Sequence, residues 1–369
     1  MKQTNDDSRW MALALQQARR GLYTTDPNPR VGCVLVQDGK LLATGFHERA
    51  GLPHAERNAL SSLPEGAARG ATCYVTLEPC SHTGRTGPCA DALIAAGVAR
   101  VVVAMTDPNP KVAGSGIEGL KAASIQVEVG LMEAEARALN PGFISRFERA
   151  RPYVRVKLAT SLDGRTAMAS GESFWITGPA AREDVQRLRA RSSAVITGMG
   201  TLLADDPSLN VRPQDWQLAD YGNAEVRQPL RVLLDSKGRA TPAHKLFSAA
   251  GDTLVITTSD AATSKLTAQK LNAITLGKNG KIDLPAVLAE LAQRECNEVL
   301  VEAGATLAAA FIEAKLVDEL VIYQAPVLLG QTAKPLVALD IATMSAARRL
   351  TLVDERRIGQ DRRLTYRLT

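Results

Sequence analysis

Long apolar runs are missing from this sequence. None approaches the roughly 20 residues that a membrane-crossing helix requires, and no charged-then-apolar leader opens the chain, so neither a spanning protein nor a secreted one is expected. Cysteine is sparse: five in 369 residues, an odd number that makes no disulfide framework and points to a cytoplasmic, thiol-reduced setting. A concentration of one charge sign is lacking as well. The net charge is +5 and the sequence pI about 9.0. Residues 1–150 hold 16 of the 44 Lys and Arg and 15 of the 39 Asp and Glu, leaving 28 against 24 for the remainder. No basic arm or patch emerges, so nothing supports a nucleic-acid partner. Internal repeats and low-complexity tracts are absent.

What is present is concentrated. Of four histidines, His47, His54 and His82 fall in the segment that also holds Cys73, Cys80 and Cys89, and only His244, read as structural, lies elsewhere. Within that segment His54-Ala55-Glu56 is followed by Pro79-Cys80 and then Cys89. One imidazole and two thiolates suit Zn²⁺, and three protein ligands leave its fourth position open. A water there has its pKa lowered to roughly 7. Glu56, two residues from His54 and not needed as a ligand, is placed to carry protons. A structural zinc would need Cys73 as a fourth ligand, but Cys73 lies in the apolar run Ala71 to Leu77 and reads as a buried small residue. Cys33 and Cys296 read as core thiols.

The length suits two domains of roughly 100–200 residues, and 45% hydrophobic residues supply both cores. Trp10, Leu13, Ala14 and Ala18 stand at helical spacing and predict a helix over Asp6 to Arg20. Val31 to Val36 and Leu41 to Phe46 predict strands joined by an Asp38-Gly39 turn. Helices are expected from near His54, near Cys89 and from Met132, and strands at Ala71 to Leu77, Val101 to Ala104 and Ser124 to Val129. These make an α/β layered domain over 1–149. Arg149-Ala150-Arg151-Pro152 reads as the linker, and a second α/β domain fills 150–369. Its expected strands are Tyr153 to Leu158, Ala194 to Thr197, Leu230 to Leu234, Thr253 to Thr257, Glu298 to Val301, Leu320 to Ala325 and Arg363 to Leu368. Its helices are Pro179 to Arg189 capped by Thr177, Leu284 to Arg294, and Thr306 to Leu316. Gly198-Met199-Gly200 follows a strand but lacks a third glycine, so it is a weak dinucleotide fingerprint. Glu302-Ala303-Gly304-Ala305-Thr306, where a strand gives way to a helix, is the better place for cofactor phosphates.

Zinc nucleobase deaminases carry the pattern H-x-E…P-C-x-x-C. Here eight residues, Ser81 to Pro88, separate the cysteines instead of two. The metal geometry survives if that loop bulges outward, and the bulge then offers His82, Arg85, two threonines and two glycines to a substrate, the arginine and backbone N–H groups suiting a phosphate. As plainer alternatives, both are surface loop residues.

Asp26-Pro27-Asn28-Pro29-Arg30-Val31-Gly32, Pro53-His54-Ala55-Glu56, and Thr76-Leu77-Glu78-Pro79-Cys80 through Cys89 together resemble the bifunctional riboflavin-biosynthesis deaminase/reductase family, in which the long cysteine spacing is normal. Val156-Lys157-Leu158-Ala159-Thr160-Ser161-Leu162-Asp163-Gly164-Arg165, Ser173-Phe174-Trp175-Ile176-Thr177, Asp205-Asp206-Pro207 and Val301-Glu302-Ala303-Gly304 resemble its reductase half. The resemblance implies a cytidine-deaminase-like three-layer α/β/α domain followed by a dihydrofolate-reductase-like α/β domain. It implies hydrolytic deamination of 2,5-diamino-6-ribosylamino-4(3H)-pyrimidinone 5′-phosphate, then NADPH-dependent reduction of the ribosyl group. Zn²⁺ and NADPH are the cofactors, the small pyrimidine ribotide is the partner, and a homo-oligomer is compatible with the sequence.

Carried over by position, Asn28, His47 and His82 surround the base and Arg85 lies near the phosphate. Lys157, Asp205 and Glu302 lie near the reacting sugar, while Ser173, Arg189, Leu209 and Arg212 hold substrate. Ala159, Trp175, Thr201, Asp205, Ser236, Gly304, Ala305 and Thr306 contact the cofactor. Plainer readings stand beside several of these: Asn28 shapes the Pro-Asn-Pro turn, His47 is structural, Lys157 is a surface lysine, Asp205 caps a turn before Pro207, and Arg189 shares a solvated helix face with Arg187 and Arg191. The rival functions are a general nucleobase or tRNA deaminase with an unrelated appended domain, and a zinc-stabilised binding module.

Overall fold

In the first part of the chain, Cys33 and Leu35 pack with Cys73, Val75, Val101 and Val103. Val34 and Val36 pack instead with Tyr74 and Val102. That alternation is the period of strands buried on both faces, and it calls for helices on either side. The computed structural model describes residues 2–81, 87–172, 176–212 and 226–368, and the chain divides into units Met1–Ala150 and Arg151–Thr369.

The first unit runs α1 (Lys2–Arg19), β1 (Gly32–Gln37), β2 (Lys40–Phe46), α2 (Ala55–Ser61), β3 (Thr72–Val75), α3 (Cys89–Ala96), β4 (Arg100–Val103), α4 (Ser115–Ala122), β5 (Gln126–Val129), α5 (Glu133–Leu139) and α6 (Pro141–Arg149). Its sheet has the order β2-β1-β3-β4-β5. β1 is antiparallel to β2 and β3, and β3, β4 and β5 are parallel. Asp38 and Gly39, with φ of 51° and 71°, close the first hairpin in the left-handed conformation such a turn requires. Helices α2, α3 and α4 supply Ala55, Ala59, Leu93 and Leu120 to one face. Helices α1, α5 and α6 supply Met11, Ala14, Ala136, Phe143 and Ile144 to the other. A Cβ on Gly45 would stand 2.3 Å from the Ala55 carbonyl and 2.5 Å from the Ala59 nitrogen. Helix α2 therefore rests directly on β2, which fixes where His54 and Glu56 sit.

Two elements depart from expectation. The single closing helix expected from Met132 is two, broken at Asn140, with Pro141 at the first position of α6, where its missing N–H costs nothing. Helix α4 carries Gly116 and Gly119, which conceal it from propensity, and its start is set by a side chain far away in sequence.

The second unit runs β6 (Tyr153–Thr160), β7 (Arg165–Ala167), α7 (Pro179–Arg191), β8 (Ala194–Gly198), α8 (Met199–Asp205), β9 (Leu230–Leu234), α9 (Lys245–Ser248), β10 (Thr253–Thr257), α10 (Asp260–Ala268) and β11 (Ala273–Thr275). It continues through the hairpin β12 (Gly277–Lys278) and β13 (Lys281–Ile282), then α11 (Leu284–Gln293), β14 (Glu298–Glu302), α12 (Ala305–Glu313), β15 (Glu319–Gln324), β16 (Lys334–Pro335), β17 (Leu350–Ile358) and β18 (Asp361–Leu368). Nine strands form one sheet in the order β11-β10-β9-β8-β14-β6-β15-β18-β17. It is parallel as far as β15, and β18 and β17 add on antiparallel. Val154, Val156 and Leu158 face α11 and α12, while Val195, Leu300, Val321 and Tyr323 face α7 and α8. Thr177 does not cap α7. Gly178 occupies that position, its N–H donating to Asp361 Oδ2 at 2.7 Å, because Pro179 is already the first helical residue. Strand β17 went unanticipated: Asp354, Glu355, Arg356 and Arg357 and its exposure on both faces erase the alternation that marks a strand.

Candidate active sites

His54 is the N-cap residue of α2, Cys80 lies in the loop after β3, and Cys89 is the first residue of α3. The Cys89 N–H donates to Cys80 Sγ at 3.3 Å, so a helix N-terminus favours thiolate there. His54 Nδ1 lies 3.5 Å from Cys80 Sγ and 3.4 Å from Cys89 Sγ, and the three donors lie within 4.8 Å of one another. Ligand bonds of about 2.0 and 2.3 Å at a tetrahedral angle give an N–S edge of about 3.5 Å. The donor set and its spacing thus fit zinc, and among the described residues no other such cluster occurs. Hydrogen bonding with the Cys89 thiol, then with His54, lowers Cys80 to about 4 against the cost of burial. The same bond, with burial, pushes Cys89 upward.

Glu56 is 3% exposed, and its Oε2 is buried with no hydrogen-bond partner. Burial is the main reason that its carboxyl is raised to about 7. An acid poised near neutrality with one oxygen unpartnered is suited to taking up and returning protons. Cys73 is fully buried, with its Sγ 3.5 Å from that of Cys33. It is a core thiol, so among the described residues no fourth protein ligand joins the cluster. Cys296 is buried also.

Asn28 and His47 come together: Asn28 Nδ2 lies 3.1 Å from His47 Nε2, and His47 Nδ1 lies 3.1 Å from the Pro53 carbonyl. Donation from Nδ1 to that carbonyl leaves Nε2 to accept from the Asn28 amide. Burial, tempered by the Pro53 bond and aided by His54, lowers the pKa of His47 and keeps it neutral. Its ring meets that of His54 edge-on, with centroids 5.2 Å apart. His82 and Arg85 lie outside the described residues.

Three positioning side chains were missed in the sequence. Asn140 accepts from the Arg30 N–H at 2.8 Å and donates to the Arg30 carbonyl at 2.9 Å, anchoring the Asn28 loop. Arg57 donates to the carbonyls of Gly87 and Pro88 at 3.0 and 3.3 Å, just before Cys89. Glu78 gathers four backbone N–H groups. Arg57 and Glu78 stand beside ligands in the sequence, whereas nothing local points to Asn140.

In the second unit Lys157 and Glu302 are register partners on neighbouring parallel strands. Arg189, on α7, donates to both Glu302 oxygens and, at 3.2 Å, to the Asn210 carbonyl. It is buried, unlike the solvated arginine that its neighbours suggest. Burial alone would raise Glu302, but Arg189, Lys157 and Arg212 outweigh it and hold the carboxyl low. Burial depresses Lys157, with Glu302 and Asp205 opposing. Leu209 is buried with φ of 54°, and the Arg212 N–H donates to Gln186 Oε1 on α7. Ala159 on β6, Thr201 and the exposed Asp205 on α8 after β8, Ser236 after β9, and Gly304, Ala305 and Thr306 at the start of α12 after β14 all stand at the C-terminal edge of the parallel strands. Open α/β sheets bind ligands at that edge. Ser173 and Trp175 lie outside the described residues. His244 is the N-cap residue of α9, beside Thr241.

The family model for the cytidine and deoxycytidylate deaminase zinc-binding region matches residues 4–105, and that for the RibD C-terminal domain matches residues 152–363. Riboflavin biosynthesis protein RibD of Escherichia coli is 48% identical over 363 residues, covering 96% of this chain and 97% of that protein. That of Haemophilus influenzae is 48% identical, covering 98% of each. Among solved structures, Acinetobacter baumannii RibD superposes with a TM-score of 0.92 at 47% identity, covering 99% of both chains. A diaminohydroxyphosphoribosylaminopyrimidine deaminase/5-amino-6-(5-phosphoribosylamino)uracil reductase from Thermotoga maritima gives 0.86 at 31% identity, covering 100% of both. The two units are thus a cytidine-deaminase-like domain and a dihydrofolate-reductase-like domain, and the chain belongs to the RibD family of bifunctional riboflavin-biosynthesis enzymes, with a zinc-dependent pyrimidine deaminase followed by an NADPH-dependent reductase.

Proposed function

We propose that His54, Cys80 and Cys89 hold the zinc and that Glu56 is the proton carrier of the deaminase. Bound zinc supplies Lewis acidity, lowering the pKa of water at its open position. Glu56 takes one proton from the attacking water to the pyrimidine ring nitrogen, then takes the remaining proton of the added hydroxyl to the amine, which leaves as ammonia when the C–N bond breaks and the carbonyl forms. Asn28, its Nδ2 tied to His47, offers its amide to the base, and His82 and Arg85 address the base and the ribose phosphate. The observation that carries this reading is the unpartnered, buried Oε2 of Glu56 beside three converging ligand atoms.

In the reductase, NADPH supplies the reducing equivalent at the ribosyl carbon. Lys157, Asp205 and Glu302 hold the reacting sugar and its protons. Arg189, Arg212, Leu209 and Ser173 secure the substrate. Ala159, Trp175, Thr201, Asp205, Ser236 and Gly304 to Thr306 line the cofactor, whose phosphates meet the backbone N–H groups opening α12. Among the described residues no helix is long and apolar enough to cross a membrane, and a cytoplasmic enzyme acting on a small ribotide fits this chemistry. The test is one coupled assay on the diaminopyrimidine ribotide. Ammonia release followed by NADPH oxidation is expected, and a protein that releases ammonia yet never consumes NADPH would contradict the reductase assignment.

A further inference from the structure

Glu78 is 4% exposed, and its carboxylate collects four backbone donors from one loop. Oε2 accepts from Gly114 at 2.9 Å and Asp107 at 3.1 Å. Oε1 accepts from Gly116 at 2.9 Å and Ile117 at 3.3 Å. The last two are the second and third residues of α4, whose own N-cap, Gly114, has no side chain to satisfy the orphan N–H groups of the first turn. A residue 36 positions earlier in sequence than that cap performs the task instead. A carboxylate suits it because two oxygens accept at four sites and the positive end of the helix favours negative charge.

The same loop is tied on the far side of Cys80. Ser81 Oγ and Ser115 Oγ lie 2.6 Å apart. Between these two ties a Cβ on Gly116 would stand 1.9 Å from the Pro79 carbonyl, so the α4 backbone lies flush against the residue before the ligand. The Glu78 N–H donates to the Met105 carbonyl at 3.0 Å, and the Cys80 carbonyl accepts from Ala90 at 3.1 Å, joining the segment to β4 and α3. Cys80 is bracketed.

We infer that Glu78 is a positioning residue for the zinc site, clamping Pro79-Cys80-Ser81 onto the Asp107–Ile117 loop so that Cys80 Sγ is held where the metal needs it. Glu78 acts through Cys80 and not on substrate. The inference rests on the zinc reading above. Glu78→Gln would set an amide N–H₂ against two backbone donors and lose at least two of the four bonds, while leaving volume and the second unit unchanged.

The measurement is the rate at which the full-length, zinc-loaded protein gives up zinc to a chromogenic chelator, well below its unfolding temperature. NADPH oxidation by the second unit, given the already deaminated ribotide, serves as the control for fold. Glu78→Gln is expected to release zinc about 10–100-fold faster, in the range seen for groups that support metal ligands indirectly. Its ammonia release should be partly restored by excess zinc and its NADPH oxidation unchanged. Wild-type release rates in a Glu78→Gln protein, even one of lowered thermal stability, would overturn the inference by leaving Glu78 a helix cap alone. If that variant does not fold, Ser115→Ala, which cuts the Ser81 tie and the Ser115 hydroxyl bond to the Val112 carbonyl but leaves the four Glu78 bonds, carries the test: faster release supports the clamp and unchanged release contradicts it. A wild-type protein that binds no zinc would refute the zinc reading and this inference together.

Discussion

Arg189 Nε and Nη2 donate to the two carboxylate oxygens of Glu302 at 2.6 and 2.9 Å, so the last turn of α7 is locked to the end of β14 by a bidentate pair. Both side chains are about one-tenth exposed. Such a pair adds little net stability over an apolar substitute, but breaking it strands a buried charge. Its function is to hold the Glu302 carboxylate ionised and fixed beside Lys157.

Glu302→Gln should therefore lose about 3–5 kcal/mol in denaturant unfolding of the second unit, the usual cost of an orphaned buried partner. NADPH oxidation should fall to background while ammonia release persists, and equal loss of both activities would mean that the pair serves general folding only.

Lys157 gives a pH signature. Its pKa lies below the ordinary 10.5, chiefly through burial. Between that lowered value and 10.5 the unfolded chain binds more protons than the folded one, so stability rises with pH across the window. Below it the charged lysine is a standing penalty. Lys157→Met should raise the unfolding temperature at neutral pH, with the gain over wild type shrinking as pH climbs towards 10.5, while reduction is abolished. Calorimetry of both proteins across that range checks the sign, and a variant destabilised at neutral pH contradicts it.

Asn140 offers a cleaner separation of binding from chemistry. Asn140→Ala removes the side-chain bonds to the Arg30 N–H and carbonyl, at a cost of about 0.5–1.5 kcal/mol for each bond lost. Because Arg30 closes the loop that presents Asn28, the KM of ammonia release should rise more than its kcat falls, with NADPH oxidation unaffected. Steady-state kinetics on the variant decides this, and a loss confined to kcat counts against it.

The layered architecture was legible in the sequence wherever burial imposes a period, as at Val31 to Val36 and Tyr153 to Leu158. The candidate zinc cluster was legible because a His and two Cys in that order, with a Glu beside the His, need no long-range partner to be recognised. The supporting contacts were not. Glu78 caps a helix 36 positions away, Asn140 grips a backbone 110 positions away, and Arg189 meets a carboxylate 113 positions away. Local spacing carries no trace of such pairings, so Arg189 reads as a substrate-holding residue, with a wet helix face as the plainer alternative, and its pairing with Glu302 stays hidden. Strand β17 escaped because, exposed on both faces, it has no apolar side to alternate.

The central claim is that Glu56 moves protons at a zinc centre it does not ligate. The most direct measurement is zinc content and ammonia release on the same preparation of Glu56→Gln. One zinc per chain, with ammonia release down about 10²–10⁴-fold, is the predicted result. Full zinc content with a near wild-type rate of ammonia release would contradict it.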